Sequence, residues 1–162
     1  MRYRRLRKDE LEPLKEEFLK YLLLANITPD AWEELKKTAP SSSEKQLDIF
    51  SDLVFEKILN EVNFVDRILP KRLELYQFFK HSVLVYILTP KEGASFTFKE
   101  EYLVDLNLNE IELVEGKKEY QLERNLEIFQ IIQEEKAKIS QGLMFKTIAL
   151  KIADQKDSSS DK

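Results

Sequence analysis

The sequence predicts an α+β fold with N-terminal helices, a small antiparallel sheet (hairpin or meander) and C-terminal helices. Three observations lead there. Apolar residues recur every three or four positions in the first third of the chain, the middle third turns to β-branched and aromatic runs, and the last third returns to helical spacing. The 162 residues, 43% hydrophobic and 35% charged, have the composition of a globular protein of domain size. The expected organisation is a single domain over 1–153, with a basic arm at 1–8 and a serine-rich, disordered tail at 154–162.

Each element has its own justification. Leu11, Leu14, Phe18, Leu22 and Ala25 form one helical stripe; Pro13 fits only in a first turn, so the helix starts between residues 9 and 12 and closes at Asn26. Thr28 as N-cap with Pro29 at the first helical position begins a short second helix. After a breaker at residues 39–43, Ser43 and Gln46 read as a capping box for a third helix. Its stripe of Leu47, Phe50, Val54 and Ile58, widened by Ile49, Leu53, Phe55 and Leu59, is expected at the centre of the core. Val62, Phe64 and Ile68 suggest a first strand broken by Pro70. Leu73–Phe79 and Val83–Thr89 form a hairpin around Lys80-His81-Ser82, ended by Pro90. Thr97 and Glu100 favour a short capped helix with Phe98, Tyr102 and Leu106 inward, whereas alternation through Val104, Leu106 and Leu108 favours a strand. Ile111–Val114 is a short strand ended by Glu115-Gly116. A helix over 119–136 carries Leu122, Leu126, Phe129 and Ile132. Ser140 caps a final helix, Leu143–Ala153, whose Ile148, Leu150 and Ile152 could instead alternate as a strand.

Composition excludes several chemistries. The chain has no cysteine, which removes disulfides, thiolate nucleophiles, zinc fingers and cysteine-held clusters together. Its one histidine, His81, stands in the hairpin turn without an evident orienting partner, and reads as a solvated turn residue. Gly93, Gly116 and Gly142 stand singly, so neither a phosphate-binding loop nor a dinucleotide fingerprint is present, and no nucleophile elbow occurs. Residues 105–109 imitate the start of a calcium loop, but Glu110 and Gly116 stand where glycine and a bidentate glutamate are required. Adjacent acids such as Glu16-Glu17, Glu33-Glu34, Glu100-Glu101 and Glu134-Glu135 read as wet helix faces. The expectation is a protein without enzymatic activity, cofactor, metal or evident small-molecule substrate.

The basic residues of the first segment are followed by Asp9, Glu10 and Glu12 instead of an apolar stretch, and the longest apolar patches fall far short of the roughly 20 residues that span a bilayer. A cytoplasmic location with no membrane partner is expected. The net charge of −4 argues against wholesale wrapping by nucleic acid.

Two features point outward. Arg2, Arg4, Arg5, Arg7 and Lys8 crowd the positive end of the first helix, where the macrodipole disfavours them. They could pair with this protein's own acids, with an acidic partner protein, or with RNA or DNA phosphate. Trp32 either seals its helix or anchors a partner. The leading expectation is a cytoplasmic protein-interaction module that binds another protein or its own copies. RNA or ribosome association through the arm is the alternative, followed by an enzyme with an unfamiliar carboxylate site.

Several stretches resemble an uncharacterised family of small Bacteroidota proteins, a domain of unknown function. They are Met1-Arg2-Tyr3-Arg4-Arg5-Leu6, Asp48-Ile49-Phe50-Ser51-Asp52-Leu53-Val54-Phe55-Glu56, Lys118-Glu119-Tyr120 through Arg124-Asn125-Leu126-Glu127-Ile128-Phe129, and Ser140-Gln141-Gly142-Leu143. The resemblance implies a single cytoplasmic domain of bacterial origin and assigns no functional residue.

Overall fold

The computed structural model describes residues 1–94, 97–99 and 106–160. The chain divides into two compact units, Met1–Asn60 and Glu61–Lys162. Helices flank an antiparallel sheet along the chain, which makes the fold α+β.

The first unit opens with an extended arm, then α1 (Lys8–Leu11), a 3-10 turn at Glu12–Leu14 that accommodates Pro13, α2 (Lys15–Leu24), α3 (Pro29–Thr38) and α4 (Pro40–Glu61). α2 ends on Asn26 in the left-handed region (φ 60), which lets the Ile27 N–H donate back to the Leu22 carbonyl at 2.8 Å. Thr28 caps α3 as expected, its hydroxyl accepting from the Ala31 N–H at 3.2 Å. The expected Ser43/Gln46 capping box is not formed. α4 starts earlier because Pro40, with its preset φ and missing N–H, suits the first position, and the Ala39 carbonyl accepts from the Ser42 and Ser43 N–H groups. Ser43 instead donates to the Pro40 carbonyl, and the Gln46 side chain accepts from the Tyr21 hydroxyl. Rings of Phe18, Trp32, Tyr21 and Phe50 pack at centroid distances of 5.0–6.0 Å. The buried face of α4 is rotated from the expected stripe: Phe50, Ser51, Phe55 and Leu59 are buried while Ile49, Leu53 and Ile58 are exposed.

The second unit is built on a five-stranded antiparallel sheet in the order β4-β3-β2-β1-β5. Its strands are β1 (Phe64–Leu69), β2 (Arg72–Phe78), β3 (Ser82–Pro90), β4 (Ile111–Glu119) and β5 (Ala137–Ser140). The β2–β3 hairpin lies where the residue runs place it, with Leu75 opposite Tyr86 and Leu73 opposite Leu88. α6 (Leu143–Ser160) supplies Phe145, Ile148 and Ile152 to a core with Leu73, Leu75, Tyr86 and Leu88 from one sheet face, joined by Phe98 and Ile111. Gly142 makes that approach possible: its φ is +80°, and a Cβ there would stand 2.6 Å from the Phe64 ring.

Several boundaries differ from the sequence reading. β4 does not stop at Val114 but continues through Gly116 to Glu119, because Gly116 pairs with Val85 like any strand residue. The helix expected over 119–136 is confined to α5 (Arg124–Ile132). The chain then turns through Lys136 at φ 64 and adds β5, which pairs with β1. Ser140 closes β5 rather than capping α6; its hydroxyl accepts from the Gly142 N–H, and the Gly142 carbonyl accepts the first helical bond from Lys146. α6 runs on to Ser160, across most of the stretch expected to be a disordered tail. The choice between a helix capped by Thr97 and Glu100 and a strand through Val104 falls on residues 100–105, outside the described residues. Among the described residues no helix is long and apolar enough to cross a membrane.

Candidate functional site

The basic arm is laid along α4 and held by this protein's own acids. The Asp52 carboxylate accepts the main-chain N–H groups of Arg2 and Tyr3 at 2.7 and 2.9 Å, and the Ser51 hydroxyl accepts that of Leu6 at 3.0 Å. Arg5 Nε donates to Asp48 at 2.6 Å, with Glu44 at 3.9 Å. Arg4 grips Glu10 through both terminal nitrogens and lies over the Phe55 ring. Arg7 reaches Asp9 and Glu10, and Arg2 lies 3.5 Å from Glu56. Lys8 begins α1 and is exposed.

These contacts set the electrostatics of the strap. The Arg4 hydrogen bonds, with that from the Arg7 N–H, hold Glu10 down to about 2. Arg5 likewise holds Asp48 below the usual carboxylate range. Burial, aided by a hydrogen bond to Glu56, pushes the Tyr3 phenol up to about 12. Of the three roles open to the arginines from sequence, the structure brings together the arm and the protein's own carboxylates.

Trp32 is buried in the aromatic cluster of the first unit, edge-on to Phe18, with Lys36 Nζ 5.9 Å from its ring centre. His81 lies exposed in the β2–β3 turn, where its carbonyl accepts from the Tyr120 N–H. Asp105, first residue of the calcium-loop imitation, lies outside the described residues. Asn107 takes an Asx-turn role, accepting from the Asn109 N–H at 3.0 Å. Among the described residues no group of acids and histidine is arranged to hold a metal ion.

Sequence reasoning missed a buried polar cluster on the sheet face opposite Leu73 and Leu75. Glu74 is buried and accepts from Arg72 Nε at 2.6 Å, Arg67 Nη1 at 3.2 Å and the Tyr76 hydroxyl at 3.0 Å. Burial alone would raise its pKa, but the two guanidiniums and the phenol outweigh it and hold Glu74 below the usual range. Burial and the Glu74 charge keep the Tyr76 phenol protonated far above its ordinary titration. Arg67, Arg72 and Tyr76 all donate to the Glu74 carboxylate, and Arg67 Nε also donates to the Glu135 carbonyl at 2.8 Å, so the cluster joins neighbouring strands.

The feature with an outward orientation is the edge strand β4. Lys91 N–H donates to the Glu110 carbonyl at one end of the β3–β4 ladder and Tyr120 N–H to the His81 carbonyl at the other. Both pairs are in register with the ladder, so even-numbered β4 residues turn their main-chain groups toward β3. Ile111, Leu113, Glu115, Lys117 and Glu119 therefore direct N–H and C=O away from the sheet, and among the described residues β4 pairs with β3 alone. Val114 is 59% exposed beside this edge. Glu115 and Lys117 share one face, Lys118 lies on the other, and the latter is tied to Glu127 at 3.3 Å. The residues after Val114, Glu115-Gly116-Lys117-Lys118-Glu119, carry no apolar alternation, so the sequence held no strand signal for this part of the edge.

A model of the family of unknown function DUF6495 matches residues 1–153. The chain belongs to that family. None of the curated proteins and none of the solved structures matches it. Family membership covers the arm, both units and the β4 edge, and it carries no assigned activity.

Proposed function

We propose that this member of the family is a non-enzymatic, cytoplasmic protein-interaction module whose docking element is the outer edge of β4. The observation that carries the reading is the row of outward main-chain groups at Leu113, Glu115 and Lys117, in a strand of nine residues with Val114 exposed beside it. An extended segment added to such an edge gains main-chain hydrogen bonds directly and is selected by the side chains that alternate across the strand. The opposite edge, β5, is four residues long and offers far less to pair with. The arm supports a structural role for Arg2, Arg4, Arg5 and Arg7, whose guanidiniums already meet carboxylates at close range.

Lys117→Pro tests the reading, because it deletes an outward N–H that the β3–β4 ladder does not use. Affinity capture from native extract with the full chain is expected to recover a bound protein, an untagged copy of the chain included, that the equally stable Lys117→Pro variant fails to retain. Equal capture by both chains overturns the edge as the docking element.

A further inference from the structure

We infer that the occupant of the β4 edge is a second copy of this chain, paired antiparallel about a two-fold axis at Gly116. The inference rests on the edge reading above and adds the partner and the register. A two-fold through Gly116 places Glu115 opposite Lys117 of the other copy, and Lys117 opposite the other copy's Glu115. Glu115 and Lys117 both direct N–H and C=O outward, so each of these two pairs can exchange a full set of main-chain hydrogen bonds. They also point side chains to one face, so each hydrogen-bonded pair is an ion pair as well.

Gly116 itself, turned inward toward Val85, then forms the non-hydrogen-bonded pair at the axis. That is where strands approach most closely, and it falls on the one residue of β4 with no side chain to crowd its counterpart. On this same face Val114, 59% exposed in the single chain, comes to lie against the aliphatic stem of the other copy's Lys118. An axis at Glu115 also creates opposite-charge pairs, between Glu112 and Lys118, but it sets the two Glu115 carboxylates directly against each other. An axis at Lys117 does the same with two ammonium groups. A charged edge normally repels a strand that comes to it. Here the strand's own sequence, read in reverse about Gly116, supplies the complement.

The native chain has no cysteine, which makes the register directly testable. In the Gly116→Cys variant the two thiols face each other at the axis, and a Cβ at this position meets Val85 Cγ1 only at an ordinary 3.4 Å. Mild oxidation is expected to give a covalent dimer. Val114→Cys, whose counterpart in the other copy lies about 13 Å further along the strand, is expected to give none. The unmodified chain should sediment at twice its mass of 19.2 kDa. Lys117→Glu sets carboxylate against carboxylate at both pairs and should raise the dimer dissociation constant at least about tenfold. The double variant Glu115→Lys/Lys117→Glu restores both pairs and should restore the dimer.

A chain that stays monomeric overturns the self-pairing, as does a dimer indifferent to the charge reversal and to Gly116→Cys. The edge reading survives either result if Lys117→Pro still releases a different protein from the capture. If Lys117→Pro changes neither capture nor oligomeric state, both readings fall.

Discussion

Arg4 and Glu10 meet through two parallel hydrogen bonds of 2.7 Å, a fork-to-carboxylate contact that fastens the arm to the first turn of α1. A carboxylate at this helix N-terminus also offsets the cations that precede it. The pair is only about a quarter exposed on either side, so solvent screens it incompletely. Glu10→Gln is expected to cost about 1–2 kcal/mol, read from urea unfolding at neutral pH. The pH dependence has a definite sign. Glu10 falls to about 2 in the folded chain from an ordinary 4.5, so its contribution is complete above pH 4.5 and is lost as the pH drops toward about 2. The variant should show a flatter loss of stability over that window than the native chain.

Glu74 presents the opposite balance of risk. Removing the carboxylate takes from Arg67, only 18% exposed, its close counter-charge and leaves it the longer contact to Glu134 at 4.0 Å. Glu74→Ala is expected to cost about 3–5 kcal/mol, and Glu74→Gln less, because the amide oxygen still accepts. Thermal unfolding of the two variants side by side checks the order. A Glu74→Ala chain as stable as the parent would show that the cluster contributes nothing to the sheet.

Trp32 is the single tryptophan, so its fluorescence reports the first unit alone. Its emission should be blue-shifted in the folded chain and should move red when the cluster with Phe18 opens. Trp32→Ala should destabilise by about 3–5 kcal/mol, the usual cost of emptying a large buried site. A solvent-like emission from the native protein would contradict the burial.

Two glycines give a matched comparison. Gly93 and Gly142 both sit at positive φ, but among the described residues a Cβ at Gly93 meets nothing within 4 Å, whereas at Gly142 it meets the Phe64 ring at 2.6 Å. Gly93→Ala should cost about 1 kcal/mol from backbone strain. Gly142→Ala should cost about 2–3 kcal/mol, adding displacement of a core ring. Chemical denaturation of the two single variants measures the difference.

Local patterns carried much of the architecture. The Thr28-Pro29 start of α3 and the runs on either side of residues 80–82 need only neighbouring residues to act, since a cap bonds within one turn and a tight hairpin closes over a few positions. For the same reason the absence of thiols, the single histidine and the scattered glycines were plain before any fold was known.

What only the tertiary structure decided depends on partners distant in the chain. β5 is four residues whose strand character comes from pairing with β1, and β4 runs past Gly116 because Val85 is there to pair with it. The basic arm is ambiguous as a string of cations, because guanidinium accepts any anion. It became a strap once Asp48, Asp52 and Glu56 were brought alongside on α4. The direction of each β4 amide, inward or outward, is likewise a matter of ladder register, and no local preference encodes it.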